Sequence, residues 1–329
     1  MGTYSPSSGS KDAKIKISMH EFLTLLEKIY PLYLLVAAGY VAGKFLKTDK
    51  DTVASLLIYI IAPVVVFNGV ASAPFNPAYF LLPVIFFIVA CGLSIAFYYF
   101  GGLFWQTSER NLLSFIAGTG NTGYFGIPLV LALFGNSGLS IAVFSTLGII
   151  LYESTRGYYI IAKSHATAKE SLMKVIKLPV IYAFVLGVVA NIAHVPIEGS
   201  LATAFGYFSG AFTVLGMMIL GISLSSVTRA SFDPKFTLIT FIAKFAAFPL
   251  VIGLFVFIDA HSWHLFSNEI HRIMLILSIV PMATNTVTYA SHLKAHPIKA
   301  AFTVLLSTLF GLIYIPLFVA VLLPLITGQ

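Results

Sequence analysis

Residues 118–128 read Gly118-Thr119-Gly120-Asn121-Thr122-Gly123-Tyr124-Phe125-Gly126-Ile127-Pro128, inside a stretch from 111 to 152 that holds no charged residue. Crossing a bilayer takes ~20 apolar residues, and Gly135-Asn136-Ser137-Gly138 divides the longer run into two crossings at a turn-rich cluster. Asn121 then lies ten residues into the first of them, about 15 Å along at the helical rise and close to the bilayer midplane. Glycine eases unwinding there, and proline removes a donor and clashes with the preceding turn. A second stretch, Pro281-Met282-Ala283-Thr284-Asn285-Thr286-Val287-Thr288-Tyr289, repeats the pattern of an Asn-Thr pair followed by tyrosine. Helix breaks are expected at Gly120, Pro128 and Pro281, because unwound backbone at that depth is tolerated only where protein or a watery cavity covers it. The competing reading is that these residues only kink two packed helices.

Outward from these stretches the chain keeps one character. Of its 329 residues 58% are hydrophobic and 9% are charged, against about 25% charged in a soluble domain, which excludes a water-soluble enzyme. Further charge-free runs cover 52–108, 178–197, 199–228, 273–293 and 300–329, the first divided at Pro74-Phe75-Asn76-Pro77. Ten crossings are expected, near 29–46, 52–72, 78–105, 111–134, 139–162, 178–195, 199–228, 235–258, 270–292 and 298–326. The single cysteine, Cys91, excludes an intrachain disulfide and reads as a small core residue. Residues 1–28 form a polar tail without the apolar stretch of a signal peptide. Within and just beyond it, residues 17–30 place Phe22, Leu25, Leu26 and Ile29 at the spacing of a short interfacial helix.

Basic residues are sorted by side. Loops after the odd-numbered crossings hold twelve (Lys44, Lys47, Lys50, Arg110, Lys163, Lys169, Lys174, Lys177, Arg229, Lys235, Lys294 and Lys299), and the opposite side holds five (Lys11, Lys14, Lys16, Lys28 and Arg272). The positive-inside rule makes the odd loops cytoplasmic and puts both termini outside, in a plasma or bacterial inner membrane. The net charge of +7 is spread loop by loop, so no nucleic-acid partner is expected. The cytoplasmic loop 163–177 separates two halves, 29–162 and 178–329, of five crossings each. Pro31 and Gly39 recur 148 residues later as Pro179 and Gly187, and the two Asn-Thr stretches both fall in the fourth crossing of their half. Five is odd, so the second half enters the membrane in the opposite sense. The expected fold is an all-α polytopic membrane protein of ten transmembrane helices in two inverted five-helix repeats, an organisation found in secondary transporters.

Gly120-Asn121-Thr122-Gly123-Tyr124-Phe125-Gly126-Ile127-Pro128-Leu129 resembles the fourth-helix signature of the auxin efflux carrier family, a family related to the bile-acid sodium symporters, and Pro281-Met282-Ala283-Thr284-Asn285 agrees with it. The resemblance spans about residues 29–329. It implies crossings 1, 2, 6 and 7 as a scaffold, and crossings 3–5 and 8–10 as a mobile transport unit in which 4 and 9 cross at their breaks in mid-membrane. It also implies an organic anion as cargo and, for some members, a homodimer. Plant members have a longer central loop and an Asn-Pro dipeptide at the break, where this chain has Asn121-Thr122.

Independent of the family, a helix restarting at the midplane offers free N–H groups and about half a positive charge, which suits an anion. The candidate substrate-binding residues are Asn121, Thr122, Gly123, Tyr124, Asn285, Thr286 and Thr288 at the breaks, with Asn68 on crossing 2. Lys244 joins them because it stands nine residues beyond Lys235, too deep for its stem to reach the interface, and an intramembrane cation marks a pathway by default. It would favour a carboxylate; an ion pair with Glu153 is the alternative. Glu153 and Arg156 share a helix face and either neutralise each other or couple transport to protons. His292 reads as a helix cap, and His194, His261, His264 and His271 fall near the outer surface. No metal site, cofactor or catalytic constellation is expected. Gly39-x-x-x-Gly43 and Gly206-x-x-x-Gly210 read as packing motifs, within the chain or in a homodimer through the scaffold helices. The function expected is a secondary transporter of a small organic anion working by alternating access. The alternative is a sodium-coupled symporter of the bile-acid type, which an absence of acidic ligands near the breaks disfavours.

Overall fold

The structure, a computed structural model, describes residues 19–74, 76–106, 108–162, 173, 176–225 and 232–322. Among them every regular element is helical. In chain order these are α1 (Met19–Phe45), α2 (Lys50–Ala71), α3 (Pro77–Gly101), α4 (Ser108–Gly118), α5 (122–134), α6 (Asn136–Ile161) and α7 (Pro179–Ile192). They continue as α8 (Gly199–Ser225), α9 (Pro234–Trp263), α10 (Asn268–Ser278), α11 (Asn285–His292) and α12 (297–322). Among the described residues seven stretches are long and apolar enough to cross a bilayer: α2, α3, α4 continued by α5, α6, α8, α9 and α12. The apolar α7 is shorter, at 14 residues. The chain is therefore an integral, multi-pass membrane protein. The tail before residue 19 and most of the loop 163–177 lie outside the described residues.

Helix starts follow local chemistry. Asp49 caps α2 by accepting from the Thr52 N–H, Asp233 caps α9 from Phe236, and Ser267 caps α10 from Ile270, each using a side-chain oxygen for an otherwise orphaned donor. From Met19 on, the helix expected over 17–30 is the first part of α1, which runs through Pro31 without interruption. The ring deprives only the Glu27 carbonyl of its donor, at an exposed position.

Packing separates tight seams from loose ones. Along α1 and α8, Gly39 lies against the Met218 backbone, Gly43 against Ile222 and Ser225, and Gly221 against Val36 and Tyr40, so backbones touch where side chains would hold them apart. Gly39-x-x-x-Gly43 is thus an intrachain seam, whereas Gly206 and Gly210 face open space. α2 packs on α7 and α8, α3 on α4 and α6, α10 on α6, and α11 on α12. The α4–α5 stretch and α6 are the most enclosed, with 72% and 83% of their most apolar windows buried, against 33% for α2 and for α3. The interior helices are those that carry the glycine-rich break and Glu153.

Candidate functional site

Two interrupted segments meet at the centre of the molecule. α4 ends at Gly118 and α5 begins at Thr122, leaving Thr119, Gly120 and Asn121 outside any helix. α10 ends at Ser278 and α11 begins at Asn285, leaving 279–284 extended or turned. The Asn121 N–H donates to the Pro281 carbonyl at 2.8 Å, so one break supplies a main-chain partner that the other lacks within its own segment. The Met282 N–H donates to the Ser307 hydroxyl of α12 at 3.1 Å, which holds the second break from behind. Pro281 lies within the break. Pro128 stands at the start of the α-helical part of α5, where its missing N–H matters least, after the chain has turned back into helix.

Beside this crossing is a cavity of about 160 Å3, far above the ~10–15 Å3 that a single water needs. One side is formed by Ile58, Ala62, Val65 and Val66 of α2, Leu178 to Val180 at the start of α7, and Phe212 of α8. The other is formed by Gly120 to Tyr124, Thr146, Glu153 and Ser154 of α6, and Thr284, Asn285 and Tyr289. An apolar wall thus faces a polar one built on both breaks. Gly123 opens onto empty space, with no atom where a Cβ would reach. Tyr124 leans on Phe212 at a centroid distance of 6.2 Å, and Tyr289 packs edge-on to Phe115 at 5.4 Å, so the two tyrosines are placed from opposite sides.

Glu153 is the charged residue of the wall. Thr119 donates its hydroxyl to Oε1, and the Asn285 amide donates to Oε2 at 3.1 Å, so each broken segment holds one carboxylate oxygen. The expected pairing with Arg156 is not made: residues 153–157 form a π-turn, whose wider i→i+5 spacing takes residues three apart off a shared face. Lys244 also sits in a π-turn, Ala243–Ala247, fully buried, its Nζ 4.3 Å from the Phe248 ring centroid and without a hydrogen-bond partner. A Cβ on Gly120 would come 2.5 Å from that nitrogen, so the ammonium packs behind the first break, outside the cavity wall. It lies within electrostatic reach of Glu153, yet no ion pair joins them.

The structure therefore gathers Gly120, Asn121, Thr122, Gly123, Tyr124, Asn285 and Glu153 around one space and leaves other candidates out of it. Thr286 is buried with its hydroxyl unpartnered but does not line the cavity, and Thr288 is exposed and does not line it either. Asn68 is also outside the wall; its Oδ1 accepts from Ser72 one turn later. His271 is buried, with Nε2 2.8 Å from Asp259 Oδ2, where Asp259 also accepts from the Leu265 and Phe266 N–H groups. Thr119, Thr146, Ser154 and Thr284 were not anticipated. Thr119 and Thr284 lie within the quoted stretches, but nothing in the chain's pattern turns Thr146 and Ser154 inward. Acidic ligands near the breaks are not absent, since Glu153 touches both. Among the described residues no group of three or more His, Cys, Asp and Glu gathers where it could hold a metal.

Residues 24–173 match the family model described as membrane transport protein. An uncharacterized transporter of Methanocaldococcus jannaschii is 24% identical over 91% of this chain and 99% of its own length. An uncharacterized transporter of Methanothermobacter thermautotrophicus is 27% identical over 62% of this chain and 69% of its own length. Both relatives are transporters by name, and the family match contains the first break together with Glu153. Over residues 24–173, a little under half of its length, the chain is thus similar to the membrane transport protein family.

Proposed function

We propose that the protein is a secondary transporter that moves a small organic anion, a carboxylate, by alternating access. The observation that carries this reading is the composition of the cavity wall: α2, α7 and α8 on one side, and the restarted helices α5 and α11 with Glu153 on the other. On this reading α1, α2, α7 and α8 are the scaffold, and α3–α6 with α9–α12 are the mobile unit. The tight α1–α8 seam supports a stiff scaffold, and the main-chain bond between Asn121 and Pro281 supports two breaks that travel together. In the same proposal α4 with α5, and α10 with α11, are the fourth crossings of two inverted five-crossing repeats, which makes ten crossings with both termini outside. The substrate's anionic group would lie at the first turns of α5 and α11, whose N–H groups and dipoles favour negative charge. Lys244 would add positive potential from behind Gly120. A homodimer would form through scaffold surfaces other than the α1–α8 seam.

The bile-acid-type symporter is a second reading, and the observation favouring it is the acid at both breaks. Thermal melts of purified protein against mono- and dicarboxylates, in NaCl and in KCl, test the site, because a ligand bound to the folded state raises Tm by mass action. Uptake of a stabilising carboxylate into proteoliposomes tests the transport. A carboxylate that stabilises the parent but not Asn121→Ala supports the first reading. Stabilisation by Na+ alone supports the second, and a panel without any stabilisation or uptake refutes the carboxylate assignment.

A further inference from the structure

Resting on the proposal of an anion site, one residue in the cavity wall poses a problem of charge. Glu153 is the Asp, Glu, Lys, Arg or His residue among those that line the space; Lys244 and Arg156 stand outside it. An anionic solute in a cavity of about 160 Å3 would sit beside a carboxylate. In an environment of low dielectric two negative charges sharing one small site repel strongly, and the site relieves this by taking up a proton.

Glu153 is placed to receive that proton. Its oxygens hold the Thr119 hydroxyl of the first break and the Asn285 amide of the second restart. A protonated carboxyl has one O–H to give, and the Thr119 hydroxyl can turn from donor to acceptor without moving its heavy atoms. Its ionisable neighbours are Lys244 from α9, Tyr124 from α5, Tyr289 from α11, and Tyr152 on its own helix. Arg156, one turn on, acts on Tyr152 and on Cys91 of α3. Among the described residues no second carboxylate faces Glu153. Its two oxygens are engaged by donors, which leaves few of the converging lone pairs that a sodium ion needs.

We infer that Glu153 binds a proton together with the anionic solute, so that both pass through the same cavity with the proton held between the two helix breaks. The proton adds to a Glu153 oxygen from the side on which the cavity is open and leaves to the other side once the mobile unit has rocked. Only that O–H bond is made and broken, and no electrons are transferred. Because both breaks hold the carboxyl, its protonation is felt by the elements that must move.

The test has one part that needs no substrate. Infrared difference spectra of the full chain in lipid nanodiscs, titrated between about pH 4 and 9, are expected to contain the C=O band of a titrating, buried carboxyl that is missing in Glu153→Gln. Thr119→Val and Asn285→Ala should move the midpoint of that band without abolishing it, which keeps the assignment open to test if Glu153→Gln folds poorly. In the second part, binding of any carboxylate taken up by proteoliposomes should strengthen about tenfold per unit fall in pH above the midpoint, as linkage to one proton requires. A pH dye inside the vesicles should report acidification with uptake. The proton inference is overturned by a titration with no band lost in Glu153→Gln, by a band that NaCl but not KCl removes, or by uptake without proton movement; in the last case the carrier reading survives. A titrating Glu153 band in a protein that takes up no carboxylate overturns the anion assignment and leaves the proton site standing.

Discussion

The seam between α1 and α8 and the crossing between the α4–α5 and α10–α11 segments are built from the same small residues to opposite ends. At the seam, Gly39 and Gly221 let backbone meet backbone with no space left over. At the crossing, Gly123 faces empty space, and Asn121 Nδ2, Thr286 Oγ1 and Lys244 Nζ have no hydrogen-bond partner. Buried polar groups are ordinarily satisfied, and unsatisfied ones mark strain or function. The difference teaches that glycine content does not say which part of a membrane protein is rigid. What the missing side chain leaves behind, contact or void, decides it.

Substitutions that reverse this contrast would break the comparison. The largest effect is expected for Gly39→Leu, which drives a side chain into the Met218 backbone. Overpacking with no flexible neighbour to yield should cost about 3 kcal/mol or more, measured as loss of monodisperse, folded protein in a detergent melt. A Gly39→Leu protein as stable as the parent would show that the seam is not closed. Next is the double variant Lys244→Met, Glu153→Gln, which removes both buried charges at the crossing. Replacing buried ionic groups by groups of similar volume is often stabilising, by about 1–4 kcal/mol. A higher Tm with lost transport is expected, the opposite sign from the seam, and a lower Tm would mean that the charges hold the fold together.

A third, smaller effect concerns the ends of the helices around the crossing. Lys299 at the start of α12 lies 2.9 Å from Asp233 at the start of α9 and 3.2 Å from Glu109 at the start of α4. Lys299→Met should cost about 1 kcal/mol, since the cluster is partly solvated. Partial burial opposes ionisation of Asp233, but the Phe236 N–H and Lys299 outweigh it and hold the carboxyl below its ordinary value of 3.8. The Asp233 contribution is complete above about pH 4 and is lost as pH falls through its lowered value. The difference in Tm between parent and variant should be flat above about pH 4 and shrink below it. The smallest effect on stability is expected for Gly123→Ala, within about 1 kcal/mol because the added methyl meets nothing. Solute binding should weaken nonetheless, as read by ligand-induced Tm shifts, and unchanged binding would place the solute away from α5.

Much of this organisation is legible in the chain. The apolar runs and their turn clusters mark where helices begin and end, and the Gly120–Pro128 and Pro281–Thr286 stretches mark the interruptions to within a few residues. Pro128 was the exception: proline serves as well in the first turn of a restarting helix as in a break, and local sequence does not separate the two uses. Arg156 failed for a similar reason. Spacing of three puts it on the Glu153 face of an α-helix, but the π-turn at 153–157 changes the phase, and no residue in Glu153-Ser154-Thr155-Arg156-Gly157 announces that turn. The burial of His271 depended on Asp259, twelve residues away across the turn between α9 and α10.

By itself the sequence determined that this chain lives in a membrane, where its helices are interrupted and which few polar residues lie at depth, because hydrophobicity, charge and backbone freedom are local properties paid in each segment separately. Only the tertiary structure decided that Glu153 faces the cavity between Thr119 and Asn285, that Lys244 stands behind Gly120, and that Thr288 and Asn68 point elsewhere. Those outcomes depend on the rotation of each helix about its axis and on which segments become neighbours. In a lipid environment, where every face of these helices is apolar enough to be tolerated, rotation is set by packing and hydrogen bonds between segments distant in the chain.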